Sequence, residues 1–165
     1  MSLENTTLYF VRHCQSDFTH HDQLTRPLTA KGLEDRNLID SYFEGQRVDL
    51  VLSSPYLRAV QTVSLLAEKQ GLTIQVWKDL RERDSHLYAD QASFLSEVKK
   101  RWDDRNYKVN GEESLAELET RSKAAIQRIL AQNPGKAIVI GSHGSFIASL
   151  FHHFDETYGY EDFLT

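Results

Sequence analysis

Four short stretches of the chain are almost continuously apolar: Leu8–Val11, Leu50–Leu52, Ile74–Trp77 and Ala137–Ile140. They are too short for helices and rich in Val, Ile and aromatic residues, so each predicts a buried strand. Between them, apolar positions return at helical spacing. One pattern runs from about Ala30 to Phe43, with Leu38, Ile39, Tyr42 and Phe43 apolar. A second carries Leu57, Val60, Val63, Leu66 and Ala67, with Ser54 as the expected N-cap and Pro55 as the first helical residue. A third covers about Asp90 to Arg101. A fourth carries Leu118, Ala125, Ile126 and Ile129 behind the capping box Ser114-x-x-Glu117. A last one follows His143 through Ile147, Leu150 and Phe151. Strands that alternate with helices and are apolar throughout predict a mostly parallel sheet covered on both faces. With no repeat, low-complexity tract or Pro/Gly/Ser linker, the pattern predicts one domain over residues 1–165.

In such sheets, ligands bind beyond the carboxyl ends of the strands. Three of the predicted strands end in polar chemistry. Arg12-His13 follows the first, Ser53-Ser54-Pro55-x-x-Arg58 the second, and Ser142-His143 the last. Parallel strands would open all three onto one edge.

Composition narrows what that edge can do. The 165 residues are 40% hydrophobic and 26% charged, an ordinary balance for a globular chain. The net charge is −5 and no basic run exceeds Lys99-Lys100-Arg101, which argues against a nucleic-acid face. No apolar run approaches the roughly 20 residues of a membrane span, and no basic region followed by a long apolar core marks a signal peptide. Cys14 is the single cysteine, so no internal disulfide can form, in keeping with a reducing compartment. The expectation is a cytoplasmic protein with no membrane or nucleic-acid partner; nothing here sets an oligomeric state.

Two histidines and two arginines at one edge suit an anion better than a metal. Arg12 and Arg58 would repel a cation, and no third ligand stands at zinc-like spacing. Guanidinium forks match phosphate oxygens, and helix N-termini expected after Arg12 and after His143 would add backbone N–H groups. A neutral imidazole can attack phosphorus and form a phosphohistidine. Positive neighbours should keep it neutral near pH 7. The leaving alcohol then needs a proton donor, and Glu82 in "LRERDSH" is the candidate.

The ordered motifs resemble the histidine phosphatase superfamily, in its phosphoglycerate mutase-like branch. "VRHCQS" resembles the Arg-His-Gly signature, "RPLTAKG" the Pro-Leu-Thr-x-x-Gly element, and "SSPYLRAVQT" the segment with the second arginine. "LRER" resembles the stretch with the acid, "GEESLAELETR" the Gly-Glu-Ser helix start, and "GSHGS" the second-histidine loop. The resemblance implies a three-layer α/β/α sandwich with a largely parallel sheet. It implies His13 as nucleophile, Arg12, Arg58 and His143 as the phosphate pocket, and Glu82 as acid and then base. Ser16, Thr19 and Ser145 fall near positions that can touch substrate. Cys14 stands where glycine is usual, Thr19 where asparagine is usual, and Ser145 where a second glycine is common.

The function expected is hydrolysis of a small phosphorylated metabolite, with no metal and no organic cofactor. The short stretch between Glu82 and Gly111 favours this over a cofactor-dependent phosphoglycerate mutase. Phosphohistidine removal from a signalling protein, or an idle phosphate-binding module, are the other readings. His20-His21 and His152-His153 read as surface pairs, Trp77 and Trp102 as packing residues, and His86 and Tyr88 as loop residues near a substrate entrance.

Overall fold

The structure is a computed structural model and describes residues 5–85 and 88–165. The described strands are β1 (Thr7–Arg12), β2 (Leu50–Ser53), β3 (Ile74–Val76) and β4 (Ala137–Ser142). They form one parallel sheet in the order β1-β4-β2-β3. The helices are α1 (Ala30–Tyr42), α2 (Leu57–Gln70), α3 (Gln91–Asp103), α4 (Leu115–Gln132), α5 (Gly144–Phe154) and α6 (Tyr160–Leu164). A 3-10 turn, Lys78–Leu80, follows β3.

Alternate strand residues point to opposite faces, and each face buries its own cluster. Leu52, Ile138 and Ile140 pack with Leu118, Ile129, Phe146 and Leu150 of α4 and α5. Val51 and Val139 pack with Phe43, Val63 and Leu66 beside α1 and α2. The edge strand β1 divides likewise, with Leu8 and Phe10 on the first cluster and Tyr9 and Val11 on the second. This is the three-layer α/β/α sandwich the sequence predicts.

Register sets the carboxyl edge of the sheet level. Arg12 pairs with Ser142 across β1 and β4, and Ser53 with Gly141 across β2 and β4. The ladder runs one step further, through His13 N–H to the Ser142 carbonyl (3.0 Å) and Ser54 N–H to the Gly141 carbonyl (2.9 Å). His13, Ser54 and His143 are therefore neighbours where three strands end.

Several boundaries differ from the reading of the sequence. No helix follows Arg12; the chain loops from His13 to Thr29 before α1 begins. The N-cap of α2 is Tyr56, not Ser54. Ser54 still belongs to the ladder, and the following Pro55 holds it in extended backbone. The third strand stops at Val76; Trp77 makes one last sheet bond, N–H to the Ser53 carbonyl at 2.9 Å, and is the N-cap of the 3-10 turn, where the chain leaves the sheet. Ser114 and Glu117 do form the predicted capping box on α4. Among the described residues no helix is long and apolar enough to cross a membrane.

Candidate active site

The carboxyl edge of the sheet opens into a cleft of about 780 Å³. His13 lines it, immediately beyond β1. Its Nδ1 lies 2.8 Å from the carbonyl oxygen of Cys14. A carbonyl can only accept, so Nδ1 carries the proton and Nε2 keeps its lone pair. Burial is the main reason the His13 pKa falls from 6.5 to about 4, and Arg58, Arg12 and Arg26 add to it, so the ring is neutral at pH 7. The arginines alone were expected to do this; desolvation does more.

His143 is fully buried, as the N-cap residue of α5. Its ring lies 5.3 Å from the His13 ring, and its Nε2 lies 2.7 Å from Ser54 Oγ. Burial, then Arg58, hold it well below its ordinary pKa, so it too is neutral. Its Nδ1 has no partner. Ser54, freed from capping α2, is the group that orients this ring.

Three arginines surround His13. Arg12, the last residue of β1, lays its guanidinium against Gly144; a Cβ there would sit 3.4 Å from Nε. Arg58, at the start of α2, is gripped by Gln23: Nη1 donates to its carbonyl (2.8 Å) and Nη2 to Oε1 (3.1 Å). It also lies 4.9 Å over the Tyr56 ring. Arg26 is buried, donates from Nε to the His20 carbonyl at 2.8 Å, and lines the cleft. Nη2 of Arg26, Nε of Arg58 and Oγ of Ser16 are buried without partners. Buried N–H and O–H groups are nearly always paired, so this set is prepared for an anion.

Glu82 reaches the cleft from the turn after β3. Its Oε1 accepts the Arg83 N–H at 2.8 Å and its Oε2 the Ser145 N–H at 3.3 Å. The carboxylate thus rests on the N-terminus of α5, where backbone donors and the helix dipole favour negative charge. Arg121 fixes the turn behind it, donating to the carbonyls of Asp79 (2.7 Å) and Arg81 (3.1 Å) while Glu113 holds its other side (2.7 Å).

The fold therefore brings together His13, His143, Arg12, Arg58, Glu82, Ser16 and Ser145. Thr19 stands apart: it is exposed, and its hydroxyl donates to Asp17 Oδ1 at 2.6 Å. Cys14 is half-buried behind His13, its N–H on Thr62 Oγ1 at 3.0 Å, and burial raises its thiol pKa. The sequence marks Ser54 as a helix cap and an edge residue, not as the partner of His143, and singles out neither Arg26 nor Gln23. Arg26 opens the motif "RPLTAKG", which carries its signal in the sequence; Gln23 and Ser54 act through contacts no spacing reveals. Trp102 and Tyr88, read as packing and loop residues, both line the cleft. His86 lies outside the described residues.

The chain is similar to several known proteins. It is 29% identical over 150 residues to the uncharacterized phosphatase PhoE of Bacillus subtilis, covering 88% of this chain and 75% of PhoE. It is 27% identical over 156 residues to the probable phosphoglycerate mutase GpmB of Yersinia pestis, covering 87% of this chain and 72% of GpmB. Among solved structures, mycobacterial glucosyl-3-phosphoglycerate phosphatase complexed with VO3 superposes with a TM-score of 0.77 at 22% identity, over 94% of this chain and 84% of that one. The model of the histidine phosphatase superfamily (branch 1) matches residues 8–163. With that match across nearly its whole length, the chain belongs to the histidine phosphatase superfamily.

Proposed function

We propose that this protein hydrolyses a small phosphomonoester through a phosphohistidine on His13. One observation carries the reading: the only ring nitrogen of His13 with a free lone pair is Nε2, on a neutral ring flanked by three arginines and facing the same cleft as Glu82. Arg12, Arg26 and Arg58 bind the phosphoryl oxygens and stabilise the charge of transfer. His13 Nε2 attacks phosphorus as the bond to the leaving oxygen breaks. Glu82, protonated at that moment, gives its proton to that oxygen. The Glu82 carboxylate then takes a proton from water, which attacks the phosphohistidine and releases inorganic phosphate. Ser54 can donate to His143 Nε2, which leaves a proton on Nδ1 for a phosphoryl oxygen. Ser16 and Ser145 add further contacts to the bound ester.

No step needs a metal. Among the described residues, the short stretch between Glu82 and Gly111 holds the single helix α3, which supports hydrolysis over phosphoglycerate transfer. The test is phosphate release from p-nitrophenyl phosphate and a small ester panel with chelator present. Turnover that survives chelation and drops at least about a thousandfold in His13→Ala supports the reading. Full activity in His13→Ala, or no turnover by the wild type, contradicts it.

A further inference from the structure

The cleft holds more than a phosphate pocket. At about 780 Å³ it has the size of a site for a drug-sized molecule. Apart from the charged edge, its lining includes Phe94, Val98 and Trp102 of α3, Leu115 at the start of α4, and Phe163 of α6. Residues 94, 98 and 102 follow one another at four-residue intervals, so they form one stripe of α3. That stripe is firmly mounted. Trp102 and Leu115 join the main core, Trp102 meets the Phe163 ring at 5.9 Å, and Phe94 meets the Tyr88 ring at 5.2 Å.

The cations on this side are occupied by the protein itself. Arg101 donates to Glu112 Oε2 at 2.6 Å and to the Glu97 carbonyl at 2.8 Å. Arg83 donates to the Glu113 carbonyl at 2.9 Å and to the Tyr88 hydroxyl at 3.1 Å. Asp90 caps its own helix, accepting from Ser93 N–H at 2.7 Å. The partnerless donors are concentrated at the phosphate end, on Arg26, Arg58 and Ser16, while on this side Nε of Arg101 alone among the cleft-lining donors described lacks a partner. One end of the cleft is built for a dianion and the other presents rings and alkyl groups.

We propose that the organic part of the substrate is apolar, an aryl or alkyl group seated on the Phe94–Val98–Trp102 stripe. This rests on the reading of the charged end as a phosphomonoester site. A sugar or hydroxy-acid phosphate would have to strip its hydroxyl and carboxylate groups of water against that stripe, at a cost in affinity.

The test is the affinity of unhydrolysed n-alkylphosphonates, ethyl through octyl, measured by calorimetric titration at constant pH, with glycerol 3-phosphate for comparison. The head group is constant along the series, so chain length isolates apolar contact. Binding that tightens about two- to fourfold per methylene supports the proposal; an affinity independent of chain length, or glycerol 3-phosphate binding as well as hexylphosphonate, overturns it. Phe94→Ser, at a half-exposed position, should shrink the ethyl-to-octyl gain, and an unchanged gain counts against the stripe. Turnover of p-nitrophenyl phosphate by the same preparation keeps the two claims apart. Turnover with flat phosphonate binding sinks the apolar seat alone. Chain-length dependence without turnover supports the seat and removes the chemistry. No binding of any phosphonate removes both.

Discussion

Burial and charge act on His13 in the same direction, both disfavouring the imidazolium. In the proposed mechanism the neutral ring is the reactive form, so the acid limb of kcat/KM belongs near pH 4 and not near 6.5. With p-nitrophenyl phosphate, whose leaving group needs little protonation, and once rates are corrected for the ester's own ionisation, activity should stay level from about pH 7 to 5 and fall below about 4; a limb near 6.5 would show an unperturbed histidine. Glu82→Gln keeps the hydrogen-bonding shape but cannot give up a proton. It should lower kcat/KM, which reports the phosphorylation step alone, about a hundredfold or more for alkyl esters and much less for p-nitrophenyl phosphate, because that leaving group needs little protonation; equal losses of kcat/KM for both would deny Glu82 the acid role. Arg26→Ala should weaken competitive inhibition by inorganic phosphate about 10- to 100-fold, the worth of a charge-assisted hydrogen bond, and an unchanged inhibition constant would remove Arg26 from the pocket. Sequence made His13, Arg12, Arg58, His143 and Glu82 legible because each ends an element or sits in an ordered motif. Gln23 and Ser54 were not, since the bonds of Gln23 to Arg58 and of Ser54 to His143 span 35 and 89 residues.

The loop that carries His13 is held by the start of α1. Thr29 caps that helix through Gly32 N–H (3.0 Å), and its backbone N–H donates to the Gln15 carbonyl (3.0 Å). A Cβ at Gly32 would lie 2.2 Å from that carbonyl oxygen. Gly32→Ala must therefore push the loop away, costing about 1–3 kcal/mol of stability. It should also lower kcat, read together with the denaturant midpoint; normal values of both would mean the loop is not braced here. Hydrophobic spacing located the helices and strands because each buries one stripe or both faces. It misplaced the start of α2 and the end of β3, and it expected a helix directly after Arg12. Those boundaries are set by sheet hydrogen bonds from Ser54 and Trp77, and by a loop folded back so that Ser16 pairs with Leu28. Tertiary pairing of that kind leaves no mark on local periodicity.

For the whole molecule, an imidazole buried in its neutral form links folding to pH. The unfolded chain takes a proton on His13 below about 6.5, the folded chain only below about 4. Stability from this group is complete above pH 6.5 and is lost as pH falls toward 4. Between pH 7.5 and 4.5 the loss is about 2–3 kcal/mol. His13→Gln should flatten the pH dependence of the urea midpoint by that amount, and parallel curves would contradict it. The sandwich itself was the most legible level, because continuous apolar strands leave few alternatives to a sheet covered on both faces. The apolar side of the cleft was not, because it assembles from α3 and α4, which periodicity treats as separate helices, and from α6, which periodicity does not mark.

The central claim is a covalent bond between phosphorus and His13 Nε2. Rapid acid-free quenching of the enzyme with a turning-over ester, followed by peptide mass spectrometry under alkaline conditions, tests it directly. The account predicts an added phosphoryl group on the peptide containing His13, labile to acid, stable to base and missing in His13→Ala. A phosphoryl group on another residue, or steady hydrolysis with none at all in both wild type and Glu82→Gln, would contradict it.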